Sequence, residues 1–326
     1  MIDFSYRRAT DVAEATQRLA PHAMLLAGGT SLLDLAKRGV ARPAELIDIS
    51  RLPDLDAVSV DGEGATIGAL ATMARVAAHS GMRAQFPAVT EALSQAASPQ
   101  IRNMASLAGN LMQRTRCSYF RDPATFPACN KRAPGSGCSA IGGVTRNHAV
   151  LGTSEACIAS YPGDLATALV AFDAEILLDR RTLAADAFFL LPGDTPELEH
   201  PLALGEMIVG IRIPSSAAAV HSTYLKIRDR QSYEFASASA AVGLALEQDG
   251  RTIADIRVAL GGVATKPWRA RAVEAALRGQ TLEPARVRRA SLLAVEGAVA
   301  QGDNRFKIDL VPRVVARAIL QLGELA

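Results

Sequence analysis

The sequence predicts an α+β protein organised as two domains, and three observations carry that reading. The chain has 326 residues and is 49% hydrophobic, enough apolar material for more than one core of ordinary size. Its first fifty residues alternate short apolar runs with amphipathic stretches, as a β-α-β unit does. Its last third places strands ahead of a block of helices, which is how α+β domains are written.

The elements follow in order. Ser5 to Arg7 opens as a short strand, and "ATDVAEATQRLA" is a helix capped by Thr10 or Asp11, with apolar residues three and four apart. "AMLLAGG" reads as a buried strand ending in two glycines. "TSLLDLAKRG" is the helix after it, stopped at Gly39, and "AELIDIS" is the next strand. "DLDAVSVDGEGATIGAL" is a hairpin turning at Asp61-Gly62. "TMARVAAHSGMRAQFPAVTEALSQA" is helical and breaks near Pro87. "DLATALVAFDAEILL" runs from helix to strand, and "PLALGEMIVGIRIP" from turn to strand. From about Ala217, "HSTYLKIRDRQSYEFASASAAVGLALEQDGRTIADIRVALGGV" reads as two or three strands around a helix. "ARAVEAALRG", "EPARVRRASLLAVEGAV" and "FKIDLVPRVVARAILQLG" close the chain as helices. No internal repeat or low-complexity linker interrupts it.

Charge and hydropathy exclude several classes. Charged residues make up 21% of the chain and the formal net charge is +2, without the concentrated basic surface of a nucleic-acid binder. No apolar run reaches the roughly 20 residues a membrane span needs. The opening "MIDFSYRRATDVAEATQRL" lacks the apolar region and small-residue cleavage site of a signal peptide.

Two glycine turns suggest a phosphate-bearing ligand. "LLAGGTSLLDLAKR" sets Gly28, Gly29, Thr30 and Ser31 between a strand and a helix, where bare backbone N–H groups can meet a pyrophosphate. The pattern is neither a Walker A loop nor G-x-G-x-x-G. "IRNMASLAGN" is a second turn, with Ser106, Gly109 and Asn110, and two such turns could hold both ends of a long dinucleotide.

All four cysteines, Cys117, Cys129, Cys138 and Cys157, fall within 41 residues, at separations of 12, 9 and 19 positions. Ordinary core cysteines would be scattered. Four thiolates can hold a [4Fe-4S] cluster or a zinc ion, and two disulfides are a third reading. No close C-x₂₋₄-C pair settles the choice. Arg114, Arg116, Arg121, Lys131 and Arg132 could offset an anionic cluster, or simply form a solvated basic loop. His148 is a possible substitute ligand.

These motifs, taken together and in order, resemble the FAD-binding medium subunit of the molybdenum hydroxylases, the family of xanthine dehydrogenases, carbon monoxide dehydrogenase and aldehyde oxidoreductases. The match runs from "LLAGGTSLLDL" through "ATIGALATM", "IRNMASLAGN", "YPGDLATALVAFDAEI", "GEMIVGIRIP" and "YLKIRDRQSYEFASASAAV" to "NRFKIDL". The resemblance implies a PCMH-type FAD-binding domain over residues 1–216, with subdomains of about 1–55 and 56–216. A smaller α+β domain like that of the carbon monoxide dehydrogenase flavoprotein follows over 217–326. Residues 111–157 are similar to an insertion found in one branch, the periplasmic aldehyde oxidoreductases whose flavin subunit also carries a [4Fe-4S] cluster. On that likeness Cys117, Cys129, Cys138 and Cys157 are the expected ligands.

The resemblance also places the FAD contacts. Leu26, Ala27, Gly28, Gly29, Thr30 and Ser31 would wrap the pyrophosphate. Ser106 would bond the flavin-linked chain or its phosphate, and Gly109 and Asn110 beside it also match the family's cofactor-binding loop, with Ala108 standing where the family often has glycine. Asp164 would serve the adenosine side, Ile208 the flavin ring and Lys226 the cofactor's polar edge. Since both glycine turns lie outside the insertion, loss of a cysteine is expected to leave FAD largely bound. The implied function is electron transfer within a heterotrimer that oxidises aldehydes to carboxylic acids, N-heterocycles such as xanthine being the alternative. A large subunit would carry the molybdopterin cofactor and a small one two [2Fe-2S] centres. This chain would hold neither the molybdenum nor the catalytic residues. A zinc-stabilised scaffold is the non-enzymatic alternative. The branch implies a periplasmic location reached by co-export with a partner, the cytoplasm being the alternative.

Overall fold

The computed structural model describes residues 2–324. Three sheets organise them. The first is parallel and three-stranded, in the order β1-β3-β2, from β1 (Ser5–Arg8), β2 (Ala23–Leu26) and β3 (Glu45–Asp48). Parallel neighbours need crossover helices. These are Val12–Gln17 and Leu32–Lys37. Asp11 caps the first, accepting from the Glu14 amide at 2.8 Å, while Glu14 accepts from the Thr10 amide at 2.9 Å. Gly39 ends the second crossover at φ +71°, a conformation glycine adopts without steric cost.

The second sheet is antiparallel, in the order β4-β5-β8-β6-β7, from β4 (Val58–Val60), β5 (Gly64–Gly68), β6 (Glu175–Leu178), β7 (Thr182–Ala184) and β8 (Ile208–Pro214). The β4–β5 hairpin turns at Asp61-Gly62, with the Asp61 amide on Gly64 O at 2.9 Å. Helices Met73–Ala78, Ser80–Gln85 and Pro87–Gln95 contribute to a shared core with Asp164–Ala171, whose every residue is buried.

The C-terminal sheet is β12-β11-β10-β9, all antiparallel, from β9 (Ser222–Ile227), β10 (Ala238–Leu246), β11 (Ile253–Gly261) and β12 (Trp268–Arg269). Helices Arg271–Leu277, Pro284–Ser291 and Phe306–Glu324 follow. The protein is a two-domain α+β fold, as expected.

Two local readings need correction. "ASASAAVGLALE" is strand β10, and no helix lies between β9 and β11. Its small residues permit burial on both faces, which removes the alternation that would mark a strand from sequence. β2 is half-buried along its length rather than fully buried, because it borders an open groove. Among the described residues, no helix is long and apolar enough to cross a membrane.

Candidate cofactor site

The loop after β2 and the loop before helix Leu107–Leu111 meet at Gly28. A Cβ there would lie 1.9 Å from Met104 O, so only glycine allows the two backbones this approach. Gly29 has φ +70°, a left-handed conformation that side chains disfavour. Among the described residues, no protein acceptor takes the amides of Gly28, Gly29, Thr30 or Ser31. Ser106 Oγ accepts from the Gly109 amide at 3.2 Å and so caps the second helix. Its hydroxyl hydrogen is left to point at a ligand.

The junction is the neck of a long groove. On one side lies an apolar lobe of about 610 Å³, walled by Met24, Leu35, Leu70, Met112 and Ile208. On the other lies a lobe of mixed lining, about 530 Å³, whose walls include Asn110, Arg116, Asp164, Glu234 and Phe235. Thr30, Ser31 and Gly109 line both lobes. Unclaimed amides at a glycine neck, with an apolar chamber on one side and polar groups such as Asn110 and Arg116 on the other, fit a dinucleotide such as FAD. Asn110 Oδ1 and Arg116 Nε are buried without a partner, consistent with a ligand that would satisfy them.

The expected contact residues divide between these parts. Gly28 to Ser31, Ser106, Gly109 and Asn110 are at or beside the neck, and Ala27 and Ile208 are in the apolar lobe. Leu26 ends β2, where its carbonyl accepts from Ile49 at 2.9 Å, and its side chain does not line the lobe. Lys226 is neither solvent-facing nor in the groove. Its side chain is 1% exposed, and Nζ is 2.7 Å from Asp164 Oδ2 and 3.1 Å from Gln95 O. Tyr224 donates to Asp164 Oδ1 at 2.6 Å, and Ser239 Oγ lies 2.8 Å from Tyr224 Oη. Burial pushes the Asp164 carboxyl above its usual range despite the Lys226 ammonium. This network was not anticipated. Tyr224 and Lys226, two apart on one face of β9, are the signal that could have found it.

The four cysteines line one small cavity, together with Lys131 and Phe120. Cys129 and Cys138 are paired as an isolated antiparallel bridge. Burial pushes the Cys117 thiol up to about 12, against the Phe120 and Tyr119 amides that donate towards its sulfur. Burial likewise raises Cys157. Among the described residues, no three His, Cys, Asp or Glu side chains converge as they would around a single ion. A zinc site needs its sulfurs within about 2.3 Å of one point.

The surroundings correct two expectations and place His148. The arginines and lysine do not form a solvated loop. Arg121 bonds Asp34, Arg114 bonds Glu199, Lys131 donates to Pro196 O at 2.8 Å and Glu199 at 3.1 Å, and Arg132 donates to the carbonyls of Tyr119, Phe120 and Phe126. His148 is not among the residues lining the cavity. It reaches Cys117 Sγ from a neighbouring cleft. The insertion is also not independent of the first glycine turn. Phe120 and Cys129 share a core with Leu35 and Ala36, on the helix that follows Ser31. Between Cys138 and Cys157, Val150 donates to Val263 O at 2.8 Å, and just past Cys157, Tyr161 donates to Ala264 O at 3.0 Å, so the segment also fastens to the C-terminal domain.

Comparison with known proteins agrees with this architecture. Residues 2–216 match the FAD binding domain in molybdopterin dehydrogenase, and residues 223–322 match the CO dehydrogenase flavoprotein C-terminal domain. The aldehyde oxidoreductase FAD-binding subunit PaoB of Escherichia coli (strain K12) is 41% identical, over 98% of each chain. The carbon monoxide dehydrogenase medium chain of Hydrogenophaga pseudoflava is 27% identical, over 97% of this chain and 96% of the other. A solved structure of carbon monoxide dehydrogenase from that organism superposes with a TM-score of 0.76 at 28% identity, covering 100% of this chain and 99% of the other.

Proposed function

This chain belongs to the FAD-binding subunits of the molybdopterin dehydrogenases, a family of molybdenum-flavin-iron-sulfur oxidoreductases, and from that premise we propose that it is the FAD- and [4Fe-4S]-carrying electron-transfer subunit of a heterotrimeric aldehyde oxidoreductase. When bound, FAD supplies one- and two-electron chemistry and the cluster one-electron chemistry. The observation that carries the reading is that four cysteines dispersed over the insertion all line one small cavity, beside a core shared with the helix of the flavin cradle.

The chain's own residues have definite tasks. The amides of Gly28 to Ser31 would hold the pyrophosphate, with the Ser106 hydroxyl donating from the opposite turn. Ile208 and its apolar neighbours would exclude water from the flavin ring. Asn110 and Arg116 would meet the adenosine half, in the lobe whose wall Asp164 and Lys226 stiffen from behind. Cys117, Cys129, Cys138 and Cys157 would bind iron as thiolates, releasing their protons on assembly.

Partners with molybdopterin and [2Fe-2S] centres, an aldehyde substrate and a periplasmic location reached by co-export complete the proposal. The aldehyde choice is supported by the 41% identity to the PaoB chain. The test is to assay iron, acid-labile sulfide, zinc and flavin in the purified protein, and to compare aldehyde with xanthine oxidation by the assembled complex. FAD with about four irons and four sulfides per chain is expected. Zinc without flavin would sink the reading, and xanthine oxidation without aldehyde oxidation would sink its substrate.

A further inference from the structure

Cys117 occupies a boundary. It lines the small cavity with the other three cysteines, and it also lines a separate cleft of about 470 Å³ between the insertion and the C-terminal domain. His148 lines only that cleft. Its Nε2 is 3.2 Å from Cys117 Sγ, within reach of an N–H···S hydrogen bond, and the ring is buried, with 5% exposure.

We infer that His148 is a positioning residue of the four-cysteine site: its Nε2–H donates to Cys117 Sγ from the outer side and raises the reduction potential of the iron–sulfur group held there. The inference rests on the cluster reading above. A metal-bound thiolate has lone pairs and no proton, so the hydrogen of this bond must come from the imidazole. Nδ1 has no protein partner. That suits the ring nitrogen without the hydrogen, since an unmet buried acceptor is commoner than an unmet buried N–H.

The backbone around His148 is held by the C-terminal domain. The His148 amide donates to Thr145 O at 2.8 Å. Thr145 Oγ1 accepts from the Asp303 amide at 3.0 Å, and Asn304, fully buried, donates to Ala149 O at 3.0 Å and to His148 O at 3.4 Å. The turn carrying His148 is thus pinned to residues 301–304, while its ring lies beside Tyr119 and Cys117 within the insertion. Hydrogen bonds to cluster sulfurs stabilise the more anionic reduced state, and outer-shell partners of this kind tune a metal site without ligating it.

The test is a redox titration of the purified full chain in its complex, followed by the EPR signal of the reduced cluster. His148→Leu is expected to shift the midpoint to lower potential with iron, sulfide and flavin per chain unchanged. His148→Gln, which keeps an N–H donor, should restore part of the shift. An unchanged midpoint in His148→Leu overturns the inference. Should that variant fail to assemble a cluster, the wild type decides. Protein labelled with ¹⁵N-histidine should show a weak ¹⁵N hyperfine coupling to the reduced cluster, and a spectrum without it overturns the inference. A wild-type protein free of iron and sulfide overturns the cluster reading, and this inference with it.

Discussion

Replacing Gly28 by alanine is the sharpest test of the flavin cradle. The added Cβ would lie 1.9 Å from Met104 O and 2.8 Å from its carbonyl carbon. An ordinary C···O contact is about 3.3 Å or more, so the two turns must part by over an ångström. The obstacle is backbone on both sides, and no side chain can swing away to relieve it. Overpacking of this kind costs about 1–3 kcal/mol. The larger consequence is for the ligand, which must be reached from both turns at once. Losing one hydrogen bond to a charged phosphate is worth about 1.5–3 kcal/mol, or roughly 10- to 150-fold in Kd. The assay is flavin per chain after purification, and FAD affinity by fluorescence titration of the deflavinated protein. Gly62→Ala is the control, since a Cβ there meets nothing within 4 Å. Flavin content and affinity equal to wild type in Gly28→Ala would refute the cradle. Gly29→Val should also lower flavin content for a different reason, its φ of +70°, because the side chains it would meet are flexible leucine tips.

Cys129→Ser should lose iron and sulfide and expose residues 113–157 to limited proteolysis. Because Cys129 shares a core with Leu35 and Ala36, flavin content should fall too. Full iron would remove Cys129 from the ligand set, and unchanged flavin would show that the cradle stands without the insertion. Asp164→Ala strands the Lys226 ammonium in the interior, so it should cost about 3–5 kcal/mol in urea denaturation, more than one lost contact to the cofactor. Asp164→Leu combined with Lys226→Met should recover most of that, and equal stability of the single variant and wild type would refute the pairing. Burial alone would push Glu199 up, but Arg114 and Lys131 outweigh it and hold the carboxyl below its usual value of 4.5. A depressed carboxyl stabilises the fold above its unfolded value and loses that contribution as pH falls through the folded one. Proteolysis of the insertion should therefore accelerate as pH drops below 4.5, and Glu199→Gln should flatten the response. A profile identical in wild type and variant would remove this clamp from the account.

The sequence by itself determined what depends on neighbours along the chain. Asp11 caps its helix because its side chain reaches an amide three residues on, and Asp61-Gly62 turns a hairpin whose strands flank it. The glycine pair before Thr30 and Ser31 marked a backbone opening, and the confinement of every cysteine to one stretch marked the small cavity that all four line. Family resemblance then supplied FAD and the expected ligands. Tertiary structure decided what depends on residues far apart. Lys226 meets Asp164 across 62 positions and Arg121 meets Asp34 across 87. The first contact turns an expected cofactor ligand into an interior ion pair. The second ties the insertion to the flavin helix, from which sequence position had separated it. The alanine-rich β10 escaped for a related reason: a strand covered on both faces has no polar alternation to reveal it. Capping and turns are settled within a few residues by short-range sterics and hydrogen bonds. Which buried charge finds which partner, and whether four distant thiols surround one cavity, is settled only when the domains pack and each desolvated group must be satisfied by whatever the fold brings beside it.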